Sequence, residues 1–279
     1  MTGDIVTTRE DSELGHWTAS LWQPPHLAPW VERFWYSEGT TGAARERLLP
    51  NGLLEMAVCL GDPHRLVVGR GSETLRACLT GLQTSAVVIE HPDWHRVLGL
   101  RLRPAGAYAL LSQPMSAVSG YTVDLPDLLG TAARELTDRC HAAATVEVCF
   151  ARAAAWVCDR VRRARSVDPA VAWSMSRIEQ SGGRVPIAEL RDHTGLSKTR
   201  LAALFRDQVG VLPKAYARIV RFRRALALLD AEPASLAEAA LDAGYYDQSH
   251  MTTEFRELGG LTPREFVVQR YPGSTTAAA

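Results

Sequence analysis

Residues 242–266 of this chain, "DAGYYDQSHMTTEFRELGGLTPREF", repeat a pattern first met at residues 193–216, "HTGLSKTRLAALFRDQVGVLPKAY". Gly195 and Gly244 lie 49 positions apart, whereas Phe205 and Phe255, Gly210 and Gly260, Pro213 and Pro263, and Tyr216 and Phe266 lie 50 apart. The second copy has therefore gained one residue between its glycine and its phenylalanine. Upstream, Ile187-Ala188-Glu189 matches Leu236-Ala237-Glu238 at the 49-residue offset. Repetition at a fixed period makes each copy one supersecondary unit. In each, a short helix ends at a glycine suited to positive φ, and a capped second helix follows. Ser197 and Asp247 are the caps, and Ser235 with Glu238 opens the second copy as a capping box. Leu201, Leu204 and Phe205 form one buried stripe, and Met251, Phe255 and Leu258 the other. A short helix, a tight turn and a second helix with a free outer face is a helix-turn-helix, and that face suits the major groove of DNA. Single helix–glycine–helix units are common packing devices, and the duplication is what favours the DNA reading.

Between the copies, "PKAYARIVRFRRALALLD" predicts a helix from Pro213 to Leu229, about 25 Å long at 1.5 Å per residue. Two recognition helices on one face of DNA stand about 34 Å apart, and this helix joins the ends of the units rather than their centres. Upstream the chain changes character. Before residue 125, "WVERFWYS", "GLLEMAVCL", "SAVVIE" and "RVLGLRLR" read as strands punctuated by Gly and Pro. From Leu125 the pattern is helical, and Val146, Phe150, Ala153, Val157 and Val161 share one helix face. The expected organisation is a disordered N-terminus (1–15), a β-rich effector domain (16–124), a helical dimerisation and linker region (125–167), a DNA-binding domain (168–271) and a disordered tail (272–279).

Residues 168–270 resemble the DNA-binding domain of the AraC/XylS family of bacterial transcription regulators. The residues that carry the likeness are "LAEAALDAGYYDQSHMTTEFRELGGLTP", Arg221-Phe222 with Ala225 and Leu228-Leu229, and the weaker first copy. "LLPNGLLEMAVCL", "LTGLQ" and "LGLRLRPAGAYALL" resemble the β-rich, cupin-like module of some such regulators. The implied fold class is α+β: a β-rich cupin-like domain, then helices, then an all-α domain of two helix-turn-helix units joined by a long helix. The first copy departs from the family pattern. It has Arg191 where the second has Ala240, Pro186 in place of Ser235, and Leu212 in place of Thr262.

Carried onto these positions, the resemblance implies base contacts from Gln248, Ser249, Thr252, Thr253, Thr199 and Ala203. It implies phosphate contacts from Lys198, Arg200, Arg206, Lys214, Arg221 and Arg264. Alanine can touch only a thymine methyl, whereas a glutamine amide can pair adenine N6 and N7. The second unit is thus expected to carry much of the polar readout and the first mainly to position. Net charge is zero overall, and residues 168–279 hold 14 Lys+Arg against 13 Asp+Glu. Any basic footprint must be local.

Nothing before residue 125 has the spacing of an enzyme site. His91 and His95 are four apart with Pro92 between, which reads as a loop rather than the His-x-His of a metal-binding strand, so no metal or cofactor is expected. Five cysteines without a C-x-x-C read as buried thiols in a reducing compartment. No apolar run is long enough to cross a membrane, and the acidic N-terminus is no signal peptide. Trp35, Trp94 and Arg101 are the candidate effector-binding residues. Arg101 alternates with Leu98, Leu100 and Leu102 and is expected to face outward; an inward Arg101 would call for a carboxylate. The chain therefore reads as a cytoplasmic regulator, expected to be an activator, with double-stranded DNA as partner and the helical region as homodimer contact. RNA polymerase and a small-molecule effector are further candidate partners. The competing readings are a cupin-like metalloenzyme with an appended helical domain, and a co-regulator with weakened DNA binding.

Overall fold

The computed structural model describes residues 3–68, 71–111, 113–162, 164–231, 235–270 and 276–279. Among the described residues ten strands come first: β1 (Ile5–Ser12), β2 (Gly15–Trp22), β3 (Val31–Thr41), β4 (Arg45–Leu48), β5 (Leu54–Cys59), β6 (His64–Val68), β7 (Gly71–Leu75), β8 (Ala77–Thr80), β9 (Val87–Glu90) and β10 (His95–Leu102). Then follow α1 (Pro104–Leu110), β11 (Thr122–Asp124), α2 (Leu125–Leu129), α3 (Thr131–His141), α4 (Val146–Val161) and α5 (Pro169–Gln180). The C-terminal part holds α6 (Ile187–Thr194), α7 (Lys198–Gln208), α8 (Pro213–Asp230), α9 (Leu236–Ala243), α10 (Gln248–Glu254), α11 (Pro263–Gln269) and a last strand, β12 (Thr276–Ala278). The fold is α+β. Among the described residues no helix is long and apolar enough to cross a membrane.

The four strands expected from alternation are β3, β5, β9 and β10. The segment expected to be disordered at the N-terminus is instead the hairpin β1–β2, in register from Ile5↔Trp22 to Ser12↔Gly15. The β-branched run Ile5-Val6-Thr7-Thr8 favours extended backbone, and Gly15 turns at φ 134 in a gap where a Cβ would strike the Thr40 carbonyl. The expected disordered tail is corrected in the same way. Thr276–Ala278 pairs with β4 (Thr276↔Leu48), while 271–275 lie outside the described residues.

Two antiparallel sheets result, in the orders β1-β2-β3-β10-β5-β8-β11 and β12-β4-β9-β6-β7. Period-2 alternation gives each strand two faces. On the first sheet, Leu98, Leu100, Leu102, Phe34 and Trp22 pack against α4, whose Phe150 ring lies 6.0 Å from Trp22. The apolar stripe of α4 is thus covered by the chain's own sheet, which removes the sequence argument for a dimer contact there. On the opposite face, Ala57 and Cys78 meet Leu66, Leu75, Val87 and Ile89 of the second sheet.

The core does not stop at residue 167. One apolar cluster runs from Trp22 through α4 to Leu201, Phe205 and Val220 of the first unit. Leu49, just after β4, is buried with Phe222 and Phe255 of the second. The change near 167 is therefore a change of secondary structure and not a gap in packing. Tyr108 donates to Asp207 (3.2 Å), Arg223 to the Asn51 carbonyl (3.2 Å), and Arg47 to the Gly259 and Gly260 carbonyls (3.2 and 2.7 Å).

Candidate nucleic-acid interface

Both units form, with one correction: of the capping box expected at Ser235 only the Ser235 hydroxyl accepting from the Glu238 amide is seen (3.1 Å), and the full box closes at Thr262 and Glu265. α6 ends at Gly195 (φ 68) and α9 at Gly244 (φ 94), each in the left-handed region. The Ser197 hydroxyl accepts from the Arg200 amide (3.2 Å), and the Asp247 carboxylate from the His250 amide (2.7 Å). Counted from these caps, α7 and α10 are in register at an offset of 50. The extra residue of the second copy therefore sits in the turn, where Tyr245 and Tyr246 replace Leu196. Leu201, Leu204, Phe205, Met251, Phe255 and Leu258 are all buried as expected. α10 gives way at Phe255–Gly259 to a wider π-helical turn, where α7 runs on regularly.

The turn glycines differ in what surrounds them. A Cβ on Gly195 would meet nothing within 4 Å, whereas one on Gly244 would lie 2.7 Å from the Arg184 Cδ. Gly195→Ala should cost only the left-handed strain, about 1–2 kcal/mol. Gly244→Ala should cost more, because Arg184 must also leave its bond to the Ser181 carbonyl, about 0.5–1.5 kcal/mol. Thermal unfolding of the two variants checks the order, and equal losses would contradict it.

Lys198, Thr199, Arg200, Ala203 and Arg206 are exposed on α7, as are Gln248, Ser249 and Thr253 on α10, with Thr252 half-buried. The Thr252 and Thr253 hydroxyls donate to the Gln248 and Ser249 carbonyls within the helix (2.8 and 3.0 Å). What they offer outward is a lone pair and a methyl group. Arg191, the departure from the family pattern, is exposed, and Leu190 is the buried residue there.

The arginines of α8 behave differently from those of α7. Arg221 pairs with Glu254 at 2.9 Å, and Arg218 pairs with Glu254 at 2.7 Å and also with Glu257. Burial raises the Glu254 pKa, but the hydrogen bonds from Arg218 and Arg221 outweigh it and hold the carboxyl below its ordinary value. The expected phosphate contact at Arg221 is corrected accordingly: its guanidinium is largely buried, lies 5.0 Å from the Tyr245 ring centre, and anchors α8 to α10. Lys198, Arg200, Arg206, Lys214 and Arg264 are exposed, and among the described residues none of them is held in an ion pair.

Three exposed residues beside the second recognition helix were not singled out from sequence. Arg256 is the exact counterpart of Arg206 at the 50-residue offset, so the repeat alone could have found it. His250 is the counterpart of Arg200. Tyr246, 87% exposed, fills the inserted turn position, and only the placement of the insertion reveals it.

In the β-rich part, Trp35 and Arg101 come together because both hydrogen-bond Glu55, Arg101 at 2.9 Å. Register places Arg101, Gly99, Glu55 and Ala57 on the face turned toward the second sheet. Arg101 therefore points inward, contrary to expectation, and the carboxylate it needs is supplied by Glu55 of the same chain. Trp94 is 41% exposed and lies near Arg96, so it does not join them.

Residues 190–269 match a family model described as a helix-turn-helix domain, and residues 23–124 match a domain of unknown function (DUF6597). Over 80 residues the chain is 31% identical to the arabinose operon regulatory protein of Escherichia coli (strain K12), covering 29% of this chain and 27% of that protein. Over 100 residues it is 30% identical to a protein of Streptomyces lividans described as an AraC-like transcription regulator, covering 36% of this chain and 33% of that one. The chain thus spans about a third or less of these relatives. Among solved structures, ToxT from Vibrio cholerae aligns over 84% of this chain and 98% of its own, with a TM-score of 0.50 and 11% identity, a likeness of fold.

Proposed function

We propose, from the premise that residues 190–269 are an AraC-type helix-turn-helix domain, that this chain regulates transcription by reading double-stranded DNA with α7 and α10. The observation that carries this reading is the shared register of the two capped helices, each with an exposed face and with cations beside it that form no ion pair among the described residues. Lys198, Arg200, Arg206, Lys214, Arg256 and Arg264 are the phosphate contacts in this reading, and Gln248, Ser249 and Thr253 the main base readers. Thr199 and Ala203 add shape and methyl contact.

Effector control fits the packing between the two halves. β4 lines the space between the sheets through Glu46 and holds the end of the second recognition unit through Arg47. A ligand that moves β4 would shift the population of reader orientations, to the extent that it binds one of them better.

Gln248 sits at the first turn of α10, the end that enters a major groove, and its amide both donates and accepts. Gln248→Ala should cost about 1–3 kcal/mol on the preferred site and relax preference at one base pair. Ala203→Gly removes no hydrogen-bonding group and should cost less discrimination, despite a helix-propensity loss of about 1 kcal/mol. The site is first found by sequencing the DNA enriched from a random pool. Both variants are then titrated against it and its single-base substitutions. If Gln248→Ala keeps full preference while Ala203→Gly loses it, the first unit is the reader.

A further inference from the structure

Three histidines far apart in sequence meet between the two sheets. His64 opens β6, His91 follows β9, and His95 opens β10. Their ring centres are 5.0 Å (His64–His91), 5.8 Å (His91–His95) and 6.0 Å (His64–His95) apart. His64 and His95 are buried, and the His91 side chain is 7% exposed. Asp93, between the last two, faces solvent.

Each ring has one nitrogen held by an outer partner. His91 Nε2 is 2.9 Å from the Glu46 carboxylate, His95 Nε2 is 2.8 Å from the Ser37 hydroxyl, and His64 Nδ1 is 3.5 Å from the Cys59 sulfur. These contacts fix the remaining nitrogens. A carboxylate only accepts, so His91 Nε2 carries the proton and Nδ1 presents a lone pair. The Cys59 thiol donates to the Leu75 carbonyl (3.1 Å), which leaves its sulfur free to accept from His64 Nδ1. His64 Nε2 then faces His91 Nδ1 at 3.1 Å. His95 Nδ1 is buried with no partner among the described residues.

We infer that His64, His91 and His95 form a binding site for a divalent transition metal ion of the zinc class, with Glu46, Ser37 and Cys59 as the outer groups that orient the rings. Imidazole nitrogen is the donor such ions favour, and an outer hydrogen bond on the second nitrogen is the usual support of a metal-binding histidine.

Among the described residues no group of three donors stands ready-made to hold an ion. The geometry shows why. With Zn–N bonds of about 2.0–2.1 Å at the tetrahedral angle, two ligating nitrogens stand roughly 3.3 Å apart and their ring centres roughly 5.2 Å apart. His64 Nε2 and His91 Nδ1, 3.1 Å apart, are within a few tenths of an ångström of that spacing, as two lone pairs facing one another. His95 stands less than 1 Å too far out. An ion seats between the two facing lone pairs, draws His95 inward through its free Nδ1 and leaves a fourth position for water or another ligand. The spacing along the chain is not the His-x-His of one strand, which is why a pair at 91 and 95 read as a loop. The third ligand comes from another strand.

The test uses the full chain, purified without a metal-affinity tag, stripped with EDTA and titrated with Co²⁺ and then Zn²⁺. One equivalent of Co²⁺ should give the visible bands of a four-coordinate site, and Zn²⁺ should displace it. Glu46→Gln should weaken binding about 10–100-fold. His64→Gln and His95→Gln should abolish the bands while circular dichroism stays native, and His16→Ala, at an exposed histidine, should change nothing. If either glutamine variant fails to fold, the wild-type stoichiometry and Glu46→Gln decide alone. A stripped wild type that takes up no metal overturns the site, as does unchanged binding in Glu46→Gln or in a folded His95→Gln. DNA binding is measured on the same samples, so loss of the metal site and loss of the regulatory reading are separate results.

Discussion

Glu254→Ala is expected to destabilise the second helix-turn-helix unit by about 3–5 kcal/mol, the usual cost of removing one partner from a buried ion pair. The Glu254 side chain is 6% exposed and that of Arg221 17%, so the deletion strands a guanidinium that water can barely reach. Arg218, more exposed at 35%, can recover solvation and adds less. Glu254→Gln keeps the shape and an acceptor oxygen and should fall between the alanine variant and the wild type. Replacing Glu254 by Leu together with Arg221 by Met should recover most of the loss, because the pair contributes little beyond an apolar contact of similar volume. Urea unfolding followed by circular dichroism reads all four proteins. A Glu254→Ala protein within about 1 kcal/mol of wild type would mean that the network is solvated and contributes little.

The same carboxylate sets a pH dependence. Its pKa in the folded chain lies below the ordinary 4.5. The stabilisation is therefore complete above that ordinary value and disappears as pH falls through the lower, folded one. The wild type should lose this component at acid pH, and Glu254→Gln should not.

Much of the reader was legible in the sequence, because its cues are local. Glycines at positive φ, capping side chains and apolar stripes at helical spacing announce themselves within a few residues, and the repeat made each copy a check on the other. Partner choice was not legible. Arg221 and Lys198 carry the same charge near the same units, and only tertiary packing pairs the first with Glu254. The β-rich part was harder for the same reason. Its strands of three to five residues, such as Arg45–Leu48 and Thr122–Asp124, are too short for alternation to show. Whether Arg101 faces in or out depended on which face a second sheet would cover. The histidine cluster joins residues 27 and 31 positions apart, on two strands and a loop, and no spacing rule within one element could find it.

DNA affinity should fall about 10³-fold between 50 and 200 mM salt. The arithmetic rests on Lys198, Arg200, Arg206, Lys214, Arg256 and Arg264, which are exposed beside the two recognition helices. Each phosphate neutralised contributes about −0.9 to the slope of log affinity against log salt, so about six contacts give roughly −5. With overall net charge zero, the effect must come from these side chains and not from a general field. Lys198→Ala and Arg256→Ala should each weaken binding to every sequence alike and reduce the slope by about 1. Arg9→Ala, at an exposed arginine on β1, should leave it unchanged. Arg221, held by Glu254, should affect folding before it affects the slope. Titration of the preferred site at four salt concentrations separates these cases. A flat salt dependence would remove the phosphate contacts and with them the case for DNA as the partner. A steep slope unchanged in Arg256→Ala would place the contacts on the first unit alone, and the second recognition helix would then have to hold the groove through bases and helix dipole only.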